Sequence, residues 1–322
     1  MTAGLTSTCR ALFAALTVAC SSATAVDAGV GQIPNAGTVT EPAVSARIAT
    51  ALAPSLVYLR NEGEGWIEEH ACASCHQIPA MLWSLGLAEQ RGLAVDADAL
   101  ARSRAWATRD LQKPDADNIH GVSQAIVAGA VPSAELIGLV ASARQENGRW
   151  TPQGQLPGQR RDAEDTEEVA TMWAALAMHT AGAEPGSWAT TRTLVEQWVE
   201  APEPGRSNEH AMMRLLLADA LHQEFRERAT ADLLAQQRND GGWSWLPGEP
   251  SDALATGQTL FALRQAGATE SSAVQAGVEF LLRTQRDDGT WSVPSTLAEP
   301  DGEAHPTADY WGTAWAVTGL LR

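Results

Sequence analysis

Apolar and polar positions follow the period of an α-helix along most of this 322-residue chain. A clear example comes after Asp252, where Thr256, Leu260, Leu263 and Gly267 recur at spacings of four, three and four residues and so share one stripe of a helix. Stretches rich in Ala and Leu dominate, and runs of Val, Ile and Thr are few, which favours helices over a sheet. The pattern predicts an all-α fold.

The residues around Asp252 belong to a signature that occurs three times. An acidic residue is followed three positions later by Ala or Gly and then by Thr, starting at Glu167, Asp252 and Asp309. Apolar residues follow each copy at similar offsets. A carboxylate at the start of a helix accepts from free N–H groups and meets the positive end of the helix dipole. We therefore predict that each copy begins a helix.

A second motif, Q-x-x-D-G-x-W, precedes two of these helices, at 237–243 and 285–291. The tryptophans of the two copies are 48 residues apart. A weaker copy lies at 144–150 and a degenerate one at 60–66. Repeats of this length indicate stacked supersecondary units, in which bulky aromatics pack between neighbouring units.

Filling the two gaps in this spacing gives six units of two helices each. The first helix of each unit is predicted at about 43–60, 96–112, 133–144, 187–199, 225–237 and 271–285. The second is predicted at about 79–91, 118–130, 164–181, 208–223, 252–266 and 308–321. Twelve alternating helices suggest a closed double ring, with six helices inside and six outside.

The Q-x-x-D-G-x-W turns resemble the QW repeats of squalene-hopene cyclases and their protein-prenyltransferase relatives. The resemblance covers about 43–322 and implies an α/α toroid of about six helix pairs. In that family the helix after each such turn is an inner one, so Glu167, Asp252 and Asp309 are expected to start inner helices.

The segment Cys72-Ala73-Ser74-Cys75-His76 has the C-x-x-C-H pattern of haem attachment and resembles c-type cytochromes. Two thiols three residues apart can each add to one vinyl group of the same porphyrin, and the adjacent imidazole can then bind the iron as proximal ligand. The motif aligns with the start of the first inner helix, so the covalent haem c is expected at one mouth of the toroid.

Other interpretations of this pair stay open. Cys72 and Cys75 can form a plain disulfide, or act in thiol–disulfide exchange, although no βαβ pattern surrounds them. A closed zinc site needs four ligands, and no second C-x-x-C pair exists in the sequence.

The sixth iron ligand is predicted to come from a histidine near the start of an inner helix. His120 is the first choice, and His305 is the second. His70 and His210 are further candidates, and each of the four can instead be a solvated or capping residue. An open sixth position would favour small-molecule chemistry over electron transfer.

The first 25 residues have the features of a signal peptide. Arg10 precedes an apolar run from Ala11 to Ala19, which is too short to cross a bilayer, and Ala23-Thr24-Ala25 offers a cleavage site. Lipoprotein anchoring at Cys20 is the less favoured alternative. Residues 26–42 are predicted to form a flexible linker before the toroid at 43–322. No later stretch is apolar for long enough to span a membrane, and a periplasmic or otherwise exported location is expected.

A catalytic alternative follows from the cyclase resemblance. Class II terpene cyclases protonate their substrate with the middle aspartate of D-x-D-D. The segment Asp115-Ala116-Asp117-Asn118 makes Asp117 the corresponding acid, but Asn118 replaces the last carboxylate. In the segment 162–166 the corresponding residue is Glu164. Helix capping explains these carboxylates equally well. With four Phe and two Tyr, and tryptophans assigned to turns, the chain has few residues to line a carbocation cavity.

The net charge is −17, and Lys113 is the single lysine. Without a basic stripe, nucleic acid is excluded as a partner, whereas an acidic surface suits a basic protein. The sequence therefore predicts an exported mono-haem cytochrome that passes single electrons to a redox protein partner. The alternatives are a haem-dependent or cyclase-like enzyme that uses the toroid cavity, and a haem-free protein that binds a small molecule, peptide or lipid at the toroid mouth.

Overall fold

Twelve α-helices form the protein in a computed structural model that describes residues 45–73, 75, 77–111, 118–200, 206–269, 271–298 and 306–321. Six outer helices are α1 (Ala46–His70), α3 (Ala97–Leu111), α5 (Ser133–Ser142), α7 (Ala189–Glu200), α9 (Arg226–Leu234) and α11 (Ser272–Thr284). Six inner helices alternate with them: α2 (Gln77–Gln90), α4 (Ile119–Val127), α6 (Ala163–Thr180), α8 (Asn208–Leu221), α10 (Ala253–Gln265) and α12 (Pro306–Leu321). The predicted all-α fold is confirmed.

The inner helices form a closed ring. Each packs on the next along the chain, and α12 packs on both α2 and α1. The hydroxyl of Tyr310 on α12 donates to the carbonyl oxygen of Leu59 on α1 at 3.1 Å, which joins the two ends of the chain. The predicted α/α toroid of six helix pairs is therefore confirmed.

Burial explains which helix of each pair lies inside. In α10 every residue from Ala253 to Leu263 is buried, because neighbouring helices cover all its faces. In α11 the buried residues lie along one stripe, namely Val274, Gly277, Phe280 and Leu281. An apolar stripe makes an outer helix and an all-round apolar surface makes an inner one.

The repeated turns share one hydrogen-bond pattern. The indole N–H of each turn tryptophan donates to the carbonyl oxygen ten residues earlier, in Trp150 to Val140, Trp243 to Leu233 and Trp291 to Leu281, at 2.7–2.9 Å. The backbone N–H of the same tryptophans donates to the signature threonines Thr171, Thr256 and Thr313. The two sequence motifs are therefore the two halves of one junction between an outer and an inner helix.

The predicted turn at 60–66 is wrong. Helix α1 continues through this segment to His70, and Gly63 packs against α2, where a Cβ atom would lie 2.3 Å from the sulfur of Met81. The glycine of this degenerate copy allows two helices to approach closely instead of allowing a turn. As a result Trp66 lies on a helix and faces the region of the Cys72–Cys75 segment.

The acidic signature residues also differ from one another. Asp252 is the N-cap of α10, as predicted, and accepts from the N–H of Ala255 at 2.8 Å. Glu167 instead lies in the second turn of α6, whose N-cap is Asp162. Glu167 pairs with Arg149 of the preceding turn at 2.7 Å.

The predicted signal peptide at 1–25, with Cys20, and the linker at 26–42 lie outside the described residues. In the part of the chain that the structure describes, no helix is both long and apolar enough to cross a membrane.

Candidate functional site

The Cys72–Cys75 segment connects the first outer helix to the first inner helix. Helix α1 ends at His70, the next residue Ala71 has left-handed backbone angles (φ 49°), and α2 begins at Gln77. The N–H of Ala73 donates to a carboxylate oxygen of Asp110 on α3 at 2.8 Å, which ties the segment to the next unit. The cysteines therefore lie at the amino-terminal end of an inner helix, at one mouth of the toroid, as the alignment predicted.

In the structure the sulfur atoms of Cys72 and Cys75 are joined in a disulfide, with their Cα atoms 5.7 Å apart. This is one of the alternatives that the sequence left open. Attachment of a haem to both sulfurs requires the reduced thiols, so the disulfide and the attached haem are two alternative states of the same pair. His76 lies outside the described residues. Haem attachment at Cys72, Cys75 and His76 stays a prediction.

A cavity of about 160 Å³ lies directly beside Cys75. Its walls come from helices α1, α4 and α12 and from the loop after Trp150. Besides Cys75, the residues that line it are Trp66, Trp311, Asn118, His120, Gly121, Gln124, Gln153, Gly154, Gln155 and Leu156. The side-chain amide oxygen of Gln153 accepts from the N–H of Ile119 at 3.0 Å and so holds this loop against the start of α4. The cavity thus combines aromatic walls with a small set of polar side chains, as ligand sites commonly do.

His120 is the titratable residue of this cavity. Its Nε2 atom lies 3.0 Å from the amide nitrogen of Gln124, and its ring meets Trp173 edge to face at a centroid distance of 5.8 Å. Its Nδ1 atom is buried and has no hydrogen-bond partner within the described part of the chain. The amide nitrogen of Gln124 donates to Nε2, so the neutral ring carries its proton on Nδ1. An unpaired buried donor costs about 1–3 kcal/mol, which a hydrogen-bond acceptor on a bound ligand would remove.

The surroundings of His120 keep it neutral. Burial lowers its pKa to about 4, the carboxylate of Glu209 opposes this shift, and the charge of Arg161 adds to it. A neutral imidazole is the form that binds metal ions. At neutral pH His120 is therefore uncharged, and the lone pair of its Nε2 atom accepts from the amide of Gln124.

A buried ion pair between Arg161 and Glu209 supports the ring of His120 through Trp173. Arg161 Nη1 contacts a carboxylate oxygen of Glu209 at 2.9 Å, and the indole N–H of Trp173 donates to the other oxygen at 2.9 Å. Burial, the largest single influence, raises the pKa of Glu209, but the surrounding charges and hydrogen bonds, with the charge of Arg161 foremost, together leave that pKa below its ordinary value. The cluster fixes Trp173, which in turn supports His120.

The other histidines have different surroundings. His70 is half exposed and stacks on Trp66 at 3.8 Å. His210 is buried, and its Nε2 atom pairs with the Glu168 carboxylate at 3.0 Å. His305 lies outside the described residues. Of the histidines that the structure describes, His120 is the one that borders the cavity beside Cys75.

The carboxylates that the cyclase alternative singled out act here as caps or surface ion pairs. Asp162 accepts from the N–H of Asp165 at 2.7 Å and caps α6. The side chain of Glu164 is 59% exposed and pairs with Arg206 at 3.0 Å, so it does not point into an enclosed chamber. Asn118 caps α4. Asp115 and Asp117 lie outside the described residues.

The axis of the toroid is filled with aromatic rings. Trp83 contacts Phe261 and Trp315 at centroid distances of 5.2 Å and Trp173 at 6.0 Å, all edge to face. The cavity beside this cluster has a volume of about 10 Å³. The expectation that turns account for most tryptophans is therefore wrong for these three. Trp173 and Trp315 each lie two residues after a signature threonine, which was an available signal for inward-facing positions.

Two loops run over this end of the ring and pair with each other. Gln159 and Leu297 form an isolated antiparallel bridge, and the N–H of Ala298 donates to the carbonyl oxygen of Gly158 at 2.9 Å. An open groove of about 660 Å³ lies at the start of α6 beneath the first loop. In the described ranges, no group of three or more His, Cys, Asp or Glu side chains is placed to hold a bare metal ion.

Comparison with known sequences finds a partial likeness. The squalene-hopene cyclase N-terminal domain family matches residues 206–274, which contain α8, α9, one Q-x-x-D-G-x-W turn and α10. A squalene-hopene cyclase of Bradyrhizobium diazoefficiens is 37% identical over 90 residues. This alignment covers 24% of the chain and only 14% of that enzyme.

Comparison with solved structures finds the fold over most of the chain. A type II terpene cyclase from Scytonema, in complex with geranylgeranyl dihydroxybenzoate, matches with a TM-score of 0.53 and 14% identity, covering 85% of this chain and 97% of that one. The unsaturated glucuronyl hydrolase of Bacillus sp. GL1 matches with a TM-score of 0.55 and 13% identity, covering 85% and 96%. The chain therefore has the α/α toroid fold of terpene cyclases and of such hydrolases, and its sequence is similar to squalene-hopene cyclases in one segment.

Proposed function

We propose that this chain is an exported mono-haem c-type cytochrome on a terpene-cyclase-like toroid, and that it passes single electrons to a protein partner. The haem would be bound to Cys72 and Cys75 through thioether bonds and to His76 through its imidazole. The comparisons with known proteins support the toroid fold and do not bear on the haem. The observation that carries the proposal is that Cys75 borders a cavity whose wall contains His120, a buried histidine with an unpartnered ring nitrogen.

The aromatic and polar residue types around the cavity are those of a haem site, but its volume of about 160 Å³ holds only part of a porphyrin. A haem at this mouth would supply reversible one-electron chemistry at its iron. The rings of Trp66 and Trp311 provide flat apolar walls. Cys72 and Cys75 would provide the two sulfurs, and His76 the imidazole, that covalent attachment and iron ligation require. Gln124 holds His120 by one ring nitrogen.

Haem attachment to the two thiols needs no added oxidant. Each thiol adds across one vinyl group, so that a carbon–sulfur bond forms and the thiol hydrogen goes to the other vinyl carbon. The disulfide between Cys72 and Cys75 must first take up two electrons and two protons from a thiol reductant, which releases both thiols. The pair is therefore a substrate for reduction before it is a site of attachment.

The charge of the chain favours a basic partner. The net charge is −17, and Glu62, Glu68 and Glu69 are exposed on the last turns of α1, next to the cysteines. Complementary charge raises the rate of encounter, and this effect weakens with salt.

The test is to express the full chain with its leader in a host that attaches haem to exported proteins. The purified protein is expected to be red and to keep its colour in the polypeptide fraction after acid–acetone extraction. The double variant C72S/C75S is the matched control and should lose the colour to the organic phase or never acquire it. A colourless wild-type protein from a host that matures a reference cytochrome would overturn the proposal.

A second candidate is a cyclase-like enzyme or a binding protein for a small molecule or lipid. The match of residues 206–274 to squalene-hopene cyclases favours it. The aromatic rings that fill the axis and the exposed, paired Glu164 do not support a closed chamber with its own acid. Incubation of the haem-free chain with squalene tests this candidate. A cyclised product that disappears in the variant D117N would support it, and no product or binding from either protein would reject it.

A further inference from the structure

We infer that the loop at 151–160 is a lid over the cavity beside Cys75, and that Arg160 holds this lid shut. The inference rests on the proposed function for its purpose, because it makes the lid control what reaches the cysteines. The cavity of about 160 Å³ holds only part of a porphyrin, so a group of that size reaches Cys75 through it only when a wall moves. The lid forms the wall that can move.

The lid supplies a large part of the cavity wall. Gln153, Gly154, Gln155 and Leu156 line the cavity, whereas the other lining residues lie on helices or directly before them. The side-chain amide oxygen of Gln153, which accepts from the N–H of Ile119 at 3.0 Å, ties this part of the lid to α4. Lifting the lid would therefore open the cavity while every helix around it stays folded.

The packing of the lid leaves it free to move. Of its ten residues, Leu156 and Gln159 are buried, and the others are partly or fully exposed. A segment with few buried contacts opens at a small cost in free energy. Thr151, Pro152 and Pro157 also border the open groove of about 660 Å³ at the start of α6. The lid thus has unfilled space beside it, and it can move there without displacing a packed helix.

Arg160 joins the lid to two other loops of the same mouth. Its backbone N–H donates to the carbonyl oxygen of Thr296 and its Nε–H to that of Ser295, both at 2.8 Å. Its guanidinium pairs with the carboxylate of Glu249, in the loop before α10, and lies over the ring of Trp245 at 5.5 Å. One side chain therefore connects loops that follow three different turns of the repeat.

The position of these contacts suits a releasable closure. The side chains of Arg160 and Glu249 are 30% and 26% exposed, so their pair is partly shielded from water and can still separate into it. Charge-assisted hydrogen bonds of this kind are stronger than neutral ones. A second contact, from the N–H of Ala298 to the carbonyl oxygen of Gly158 at 2.9 Å, lies beside the pair and would open with it.

The variant R47A provides a matched control. Arg47 also pairs with a glutamate, Glu279, but this pair joins the outer helices α1 and α11 and both side chains are more than half exposed. Removing it takes away one arginine and one ion pair, as R160A does, and leaves the lid contacts unchanged.

The experiment uses the haem-free full chain after reduction of the Cys72–Cys75 disulfide with a phosphine. The rate of modification of Cys75 is measured by peptide mass spectrometry with two reagents, the small iodoacetamide and a maleimide that carries a large aromatic group. Hydrogen exchange of 151–160 is followed in parallel. The proteins compared are wild type, R160A, E249Q and R47A.

R160A is expected to react with the bulky maleimide at Cys75 about tenfold faster than wild type, because hydrogen bonds to a charged group contribute at least that factor. Its reaction with iodoacetamide should stay within about twofold of wild type, and R47A should match wild type with both reagents. Hydrogen exchange in R160A should rise within 151–160 and 295–298. E249Q should change the same quantities in the same direction and by less.

The inference is overturned if R160A and R47A react with the bulky reagent at equal rates, or if exchange in R160A rises evenly along the chain. If R160A does not fold, E249Q decides in its place, and an E249Q chain that equals wild type rejects the lid. These measurements need no haem. A wild-type chain that never acquires haem would reject the proposed function and leave the lid result as it stands, so the two failures are distinguishable.

Discussion

The side-chain amide of Gln285 donates to the carbonyl oxygen of Ala51 at 2.8 Å, between residues 234 positions apart. Gln237, at the same place in the preceding motif, donates to the carbonyl oxygen of Ala273 at 2.8 Å. Each Q-x-x-D-G-x-W turn thus binds the outer helix of the following unit, and the last turn binds the first outer helix. The glutamine of the motif is the residue that joins successive units and closes the ring.

Replacing Gln285 with alanine should therefore lower the stability of the whole toroid. The carbonyl oxygen of Ala51 and the hydroxyl of Ser55 lose a partner, which costs about 1–3 kcal/mol of unfolding free energy. Urea unfolding followed by circular dichroism measures the change. The control Q236A removes an exposed glutamine beside Gln237 and should change the unfolding free energy by less than about 0.5 kcal/mol. Equal effects of Q285A and Q236A would contradict the closure role.

Two glycines of α1 provide a matched pair. A Cβ at Gly63 would lie 2.3 Å from the sulfur of Met81, whereas a Cβ at Gly65 would have no atom within 4 Å. G63A should destabilise the protein by about 1–3 kcal/mol through overpacking. G65A should stabilise it by up to about 1 kcal/mol, because alanine favours the helix. Thermal unfolding of both variants checks the helical assignment of this segment, since a turn at 60–66 would not give opposite signs.

His120 should make the haem-free chain less stable in acid. Its pKa is about 4 in the folded protein and 6.5 in the unfolded chain. The stability of the fold with neutral His120 is therefore complete above pH 6.5 and is lost as the pH falls toward 4, because the unfolded chain takes up the proton first. The lowered pKa corresponds to roughly 3 kcal/mol. The groups facing it are Glu209 and Arg161. The difference in unfolding free energy between wild type and H120Q should shrink or change sign over this range, and a constant difference would reject the shift.

Asp252 should have the opposite effect. Burial raises its pKa to about 7, although the N–H groups of Ala255 and Trp245 favour the carboxylate, and Glu249 adds to the increase. The folded-state pKa of Asp252 is above the unfolded value of 3.8. The contribution of Asp252 to the unfolding free energy is therefore complete below pH 3.8 and is lost as the pH rises toward 7. Relative to D252N, wild type should become less stable between pH 4 and 7. The quantity to compare is how the difference in unfolding free energy between wild type and D252N changes with pH, rather than its size at one pH.

The repeat made most of the fold predictable. The paired motifs fixed the number, order and inner or outer position of the helices, because each junction uses the same tryptophan, threonine and glutamine contacts. The segment at 60–66 misled because a glycine serves a turn and a close helix contact equally well, and only Met81 across the interface distinguishes them.

The candidate site was predictable in part. The position of the cysteines before α2 and the position of His120 in the first turn of α4 follow from aligning the units. The cavity walls Trp66 and Trp311 did not, because they come from the two ends of the chain and meet only when the ring closes. Likewise, the sequence showed a possible acid at Glu164 but not its exposure and its pairing with Arg206.

The central claim is that Cys72 and Cys75 hold a covalent haem, and intact mass spectrometry of the purified protein tests it most directly. The full chain, matured in a host with haem-attachment machinery, should have the mass of its processed polypeptide plus one haem, and C72S/C75S should have the mass of the polypeptide alone. A wild-type mass equal to that of the processed polypeptide, or to that mass less the two hydrogens lost on disulfide formation, would contradict the account.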